Sequence, residues 1–157
     1  MKLTTRGHYS VKALLDLSLQ QSNTPVSVKE IAVRQDIPAT YLEKLLIEMR
    51  RGGLVVSFRG AQGGYQLAKL PAQISLGEIL ESVGETIEPF LKYVPNPSQA
   101  EDWVTYCIWN RMHKKLSEAL YNISLEDLYY DVRSWQTVVG EETCLLYTSD
   151  AADEYSR

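Results

Sequence analysis

The sequence predicts a mainly α-helical fold with one small β-hairpin, and three observations predict it. Two short amphipathic helical patterns, 28–34 and 39–51, are separated only by Gln35-Asp36-Ile37-Pro38. Two β-prone runs flank the glycine-rich stretch Arg59-Gly60-Ala61-Gln62-Gly63-Gly64. A further pattern, Gln99 to Asn122, keeps a helical period for roughly 24 residues. Two short helices joined by a tight connection are the sequence form of a helix-turn-helix, and a hairpin that follows them is a wing. The expected fold class is therefore a winged helix-turn-helix plus a long helix.

Each element has its own signal. Between Tyr9 and Gln21 the apolar residues Val11, Leu14, Leu15, Leu17 and Leu19 recur at spacings of three and four around Lys12 and Asp16, which predicts an amphipathic first helix. Asn23-Thr24-Pro25 ends it. Ser27-Val28-Lys29-Glu30 has the form of a capping box, in which hydroxyl and carboxylate each accept from the other residue's amide. A short helix from Val28 to Arg34 should follow, interrupted before Pro38 because proline disfavours helical geometry in the preceding residue. From Ala39 to Arg51, Leu42, Leu45, Leu46 and Met49 share one face, and Gly52-Gly53 stops the helix.

Leu54-Val55-Val56-Ser57-Phe58 and Tyr65-Gln66-Leu67-Ala68 form the hairpin strands, with glycines supplying the turn. Ser75-Leu76-Gly77-Glu78 is a second capping box, opening a helix to about Val83 with Leu76, Ile79, Leu80 and Val83 inward. Residues 84–98 contain Pro89, Pro95 and Pro97 and read as a connecting loop. On the long helix, Val104, Ile108, Met112, Leu116, Ala119 and Leu120 form a stripe, with Trp103, Tyr106, Trp109 and Tyr121 beside it. Such a helix reaches roughly 36 Å, more than so small a domain needs, so it is expected to pack against a second copy of itself. A last helix begins at Ser124 and runs to about Trp135, with Leu125, Leu128, Tyr129 and Val132 inward. The expected organisation is a winged helix-turn-helix domain at 1–83, the loop at 84–98, and the dimerisation and C-terminal helices at 99–135.

Composition limits the functions available. The 157 residues are 45% hydrophobic, enough for one ordinary core, and no apolar run approaches the roughly 18 residues of a membrane span. A membrane channel is excluded. The polar start, Met1-Lys2-Leu3-Thr4-Thr5-Arg6-Gly7-His8, lacks a secretory signal, so a cytoplasmic location is expected. Two cysteines, Cys107 and Cys144, provide neither a disulfide framework nor a four-thiolate metal site. The net charge of −4 hides a partition: residues 1–75 hold ten Lys/Arg against five acids, so the remainder carries −9. A basic half of this kind is suited to a polyanion.

Taken together, Met1-Lys2-Leu3-Thr4-Thr5-Arg6-Gly7-His8-Tyr9, the helix Tyr41-Leu42-Glu43-Lys44-Leu45-Leu46 and the wing Arg59-Gly60-Ala61-Gln62-Gly63-Gly64-Tyr65-Gln66-Leu67 resemble the Rrf2 family of bacterial winged-helix transcription regulators. The resemblance runs over about residues 1–135, and the segment from Leu125 to Trp135 is similar to the family's cyanobacterial members. It implies a homodimer held by the long helix through Val104, Ile108, Met112, Leu116 and Leu120, with paired helix-turn-helix units on a partly palindromic operator. The family includes iron-sulfur regulators, a nitric-oxide-sensing repressor and a cluster-free repressor of cysteine metabolism.

The contact chemistry can also be argued from the residues themselves. The helix from Ala39 is narrow enough for the major groove of double-stranded DNA and presents Thr40, Tyr41, Glu43 and Lys44 on its first turns. Thr40 and Tyr41 suit phosphate oxygens, Lys44 suits phosphate or guanine, and Glu43 suits a cytosine amino group. Tyr41 has a second use, packing on the first helix, and Glu43 has one as a surface ion-pair partner. Arg59 sits at a hairpin tip where Gly60 and Gly63 allow close approach to a narrow minor groove, with Gln62 as a hydrogen-bonding neighbour. The bland reading of that tip is a plain turn. Lys2, Arg6, Arg50 and Arg51 are generic phosphate partners or solvated charges.

Cluster-binding relatives carry three cysteines in the loop and the start of the long helix, whereas the segment from Glu85 to Asp102 has none. Trp103 and Tyr106 stand where a cysteine and a histidine ligand would be expected. Cys107 and His113 lie about 240° apart around one helix, so a single chain cannot aim both at one metal. No metal and no cofactor are expected, and Cys107 is expected to be a small core hydrophobe. The end of the chain, from Cys144 to Glu154, resembles the translation of a transposon-type sequencing adapter, so 144–157 is expected to be a non-native tail.

The leading expectation is a sequence-specific DNA-binding regulator, most simply a repressor, answering to a small-molecule or protein effector. Phe90, Tyr93, Trp103 and Trp109 offer a pocket lining, with ordinary core packing as their plainer use. The alternative is a winged-helix protein-interaction module or adaptor that does not read DNA. An enzyme is not expected, since H-E-x-x-H, G-x-S-x-G and P-loop spacings are all missing.

Overall fold

In the computed structural model, which describes residues 3–20, 23–86 and 94–139, three N-terminal helices pack pairwise around one apolar cluster. They are α1 (Thr5–Leu19), α2 (Val28–Gln35) and α3 (Ala39–Arg51). The hairpin β1 (Val55–Phe58) and β2 (Gly64–Leu67) follows, antiparallel, with Val55 opposite Leu67 and Phe58 opposite Gly64. A 3-10 turn (Pro71–Gln73), which the sequence reading did not anticipate, leads into α4 (Leu76–Ser82), and then come α5 (Ala100–Asn122) and α6 (Leu125–Val139).

The local chemistry accounts for these boundaries. Both capping boxes form: the Glu30 amide donates to Ser27 Oγ while the Ser27 amide donates to Glu30, and Glu78 and Ser75 do the same. These bonds, led by the backbone amide in each case, hold the carboxyls of Glu30 and Glu78 below their ordinary range. Asp36 closes α2 in the left-handed conformation (φ 52°), turning the chain so that α3 starts just beyond Pro38.

The core is made by the expected stripes. Leu14, Ile31, Leu42, Leu45, Leu46, Met49, Leu54, Ile74 and Ile79 are among its buried side chains, and Leu125 reaches into it from α6. α1 begins at Thr5, four residues before the expected start, and carries Gly7 where it passes close to α4, an added β-carbon lying 2.9 Å from Leu80 Cδ2. α6 runs four residues past Trp135 to Val139.

Two backbone ties fix the later elements to the helical cluster. Val26 and Tyr65 exchange amide–carbonyl bonds of 3.0 and 2.8 Å, seating the wing against the chain entering α2. The Leu76 amide donates to Ile123 and the Leu125 amide to Ile74, both at 2.8 Å, pinning the α5–α6 corner to the start of α4.

Candidate nucleic-acid interface

The buried stripe of α3 leaves Thr40, Glu43 and Lys44 exposed on the opposite side of that helix. An amphipathic helix whose inner face is wholly spent on the core has only its outer face for recognition. Tyr41 is half-buried: its ring meets Tyr9 of α1 edge-on, centroids 5.9 Å apart, so of its two expected uses the packing one is realised. The wing is tied to the same helix, because Arg50 Nη1 donates to Ser57 Oγ at 3.2 Å. Arg59 and Gln62 are exposed at its tip, and the Gly63 amide donates to the Gly60 carbonyl at 3.0 Å to close the turn.

Other expected contacts are placed differently. Lys2 lies outside the described residues. The Arg6 guanidinium donates to Glu48, so it joins α1 to α3 as well as adding positive charge. Arg51 is exposed at the end of α3.

Sequence reasoning missed a buried polar anchor under the interface. Asp16, 2% exposed, accepts from Arg34 Nε, Arg34 Nη2 and Gln35 Nε2, each at 2.9 Å. One turn earlier on α1, Lys12 Nζ donates to the Gln35 carbonyl at 2.6 Å. The two side chains grip the end of α2 where it enters the turn before α3. The bidentate bond to Asp16 raises the Arg34 pKa above its ordinary value.

The long helix carries its apolar stripe largely in the open. Val104 is 63% exposed, and Ile108 and Met112 are 41% and 49% exposed, while Leu116 is half-buried. Leu120 is already buried within the chain, which removes it from the surface offered to a second copy. Cys107 is exposed, not a core hydrophobe, because this part of α5 extends beyond the helical cluster. For the same reason Trp103 and Trp109 are 52% and 39% exposed rather than packed in the core. Phe90 and Tyr93 lie outside the described residues. A cavity between α5 and α4 is lined by Gly77, Leu80, Glu81, Glu85, Thr86, Ser117 and Tyr121, none of them from that aromatic set.

Comparison with known proteins places these features. The family model described as "Rrf2: Iron-dependent Transcriptional regulator" matches residues 3–131. The chain is 60% identical to the HTH-type transcriptional regulator slr0846 of Synechocystis sp., over 90% of this chain and 96% of that protein. It is 37% identical to the HTH-type transcriptional regulator IscR of Cronobacter sakazakii, over 82% and 80% of the two chains. Among solved structures it is similar to T. potens IscR (TM-score 0.70, 39% identity, 87% of this chain and 91% of that one). It is also similar to CymR, the global cysteine regulator of B. subtilis (TM-score 0.72, 31% identity, 83% and 97%).

The family description names iron, and the residues present do not fit it. Among the described residues no three His, Cys, Asp or Glu side chains come together as a metal site. The sequence holds only one cysteine besides Cys107, the outlying Cys144. A cluster that ordinarily takes four protein ligands has no such set among the described residues. Among the described residues no helix is long and apolar enough to cross a membrane.

Proposed function

The chain belongs to the Rrf2 family of transcriptional regulators, and on that premise we propose that it acts as a homodimer on a partly palindromic operator and represses by occluding a promoter. Family membership supplies DNA binding and regulation; its relatives are regulators, not enzymes. The observation that carries the finer reading is the pairing of two outward surfaces on one rigid unit. Thr40, Glu43 and Lys44 face out from α3, and Arg59 stands on a wing that Arg50 and Ser57 tie to that same helix. Lys44 and Thr40 would meet the major groove and its phosphates, Glu43 would accept from cytosine, and Arg59 would enter the minor groove with Gln62 beside it. The exposed stripe of Val104, Ile108 and Met112 supports pairing through α5, since apolar surface of this extent on one helix is otherwise left to water.

The reading is tested by measuring mass in solution and duplex affinity across a salt series. A dimer whose log affinity falls linearly with log salt is the expected result, because neutralised phosphates release counterions. A monomer, or a protein indifferent to every genomic duplex, would return the assignment to a protein-interaction module.

Arg59→Ala should weaken operator binding by about 1–3 kcal/mol while leaving stability unchanged, as expected for an exposed side chain whose partner is the nucleic acid. Fluorescence anisotropy against a footprinted operator checks it, and affinity equal to the parent's removes the wing from the interface.

A further inference from the structure

The place where the long helix meets the winged unit is more closely built than the rest of α5. Gly77 on α4 is buried, and a β-carbon there would lie 2.8 Å from Cγ, Cδ2 and Cε2 of Tyr121, so the ring lies flush on bare backbone. The Tyr121 hydroxyl donates to Glu81 Oε2 at 2.7 Å, one helical turn beyond Gly77 on the same helix. The two amide bonds between the α5–α6 corner and α4 lie at the same end. One end of α5 is therefore fixed to the winged unit by backbone, ring and hydroxyl together, while Val104, Ile108 and Met112 stand exposed further along it.

We propose that this joint, Gly77, Tyr121 and Glu81, is a specificity-determining element that sets the spacing between the two half-sites of the operator. The inference rests on the dimeric DNA-reading function proposed above. In a pair formed through α5, the dimer contact centred on Ile108 is about 13 residues, roughly 20 Å, from Tyr121 along the helix. A tilt of the winged unit at the joint displaces α3 in proportion to its distance from the joint, and a shift of a few ångströms is comparable with the roughly 3.4 Å rise of one base-pair step. The twofold axis applies the same displacement to the other unit. Tyr121 and Glu81 touch no base in this arrangement; they are positioning residues that act through the angle they hold.

The test is selection of binding sites from a random duplex library by the full chain and by two variants, Tyr121→Leu and the exposed substitution Glu81→Ala. The parent is expected to enrich paired half-sites at one dominant spacing. Both variants should recover the same half-site sequence with the spacing shifted or spread by one or more base pairs, a change that mere loss of stability would not produce. A folded, dimeric variant of either kind with the parent's spacing distribution overturns the proposal. If the parent itself enriches no paired site, the dimeric reading fails instead, and the two failures are thereby distinguished. Should Tyr121→Leu not fold, Glu81→Ala alone decides.

Discussion

Gly64→Ala is expected to lower the stability of the fold by about 3 kcal/mol or more and to abolish the contribution of the wing to DNA binding. Gly64 has φ 154°, and an added β-carbon would lie 2.2 Å from the Val26 carbonyl oxygen and 2.4 Å from its carbon. Those atoms belong to the backbone that Tyr65 bonds in both directions, so they cannot move aside without breaking the tie that seats the wing. Gly53 provides the control. Its φ of 77° also disfavours a side chain, though less than 154° does, and nothing lies within 4 Å of its added β-carbon. Alanine there should cost only the backbone part, about 1–2 kcal/mol. Urea melts of the two variants, followed by anisotropy titrations under fully native conditions, separate the terms. Equal destabilisation by the two substitutions would show that the contact with Val26 is unimportant.

This steric role explains why some of the architecture could be read from the sequence and some could not. α3 was expected at 39–51 and forms at Ala39–Arg51, because its apolar period, the preceding Pro38 and the following Gly52-Gly53 all act within a few residues. The capping boxes were legible for the same reason. Gly64 was visible only as one glycine of a turn, since the atom it must avoid is Val26, far away in sequence. The start of α1 was missed because Gly7 weakens a local helical signal, and Leu80, which it packs against, belongs to a later helix. At the other end, Thr137-Val138-Val139 are poor helix formers, yet α6 includes them, with Thr137 Oγ1 donating back to Arg133. The exposed residues of α3, Thr40, Glu43 and Lys44, were legible as the complement of its buried stripe. The commitments of Tyr41 to Tyr9 and of Arg6 to Glu48 were not settled by any local pattern.

Asp16 is the strongest case of a role hidden by local pattern, and replacing it with alanine should cost about 2–4 kcal/mol. On the helical period it passes for a solvated charge; in the fold it is 2% exposed and accepts three hydrogen bonds from the end of α2. Removing one member of a fully buried ion pair costs about 3–5 kcal/mol, because the other charge is left uncompensated. The Arg34 side chain is 38% exposed and can partly rehydrate, which lowers the expected cost. Gln35 Nε2 loses its acceptor in the same step, and a small void remains. Asp16→Asn should recover little of the loss, since its amide nitrogen would face donors where the parent presents two acceptor oxygens. In a double-mutant cycle with Arg34→Ala the two losses should be clearly less than additive, as expected for groups bonded to each other. Lys12 still holds the Gln35 carbonyl in these variants, so the turn before α3 should loosen rather than detach. Operator affinity measured well below the melting temperature should therefore fall while non-specific binding persists, because α3 loses its fixed angle but the basic surface remains. Additive losses in the cycle, or an Asp16→Ala protein as stable as the parent, would mean that α1 does not hold the helix-turn-helix through this carboxylate.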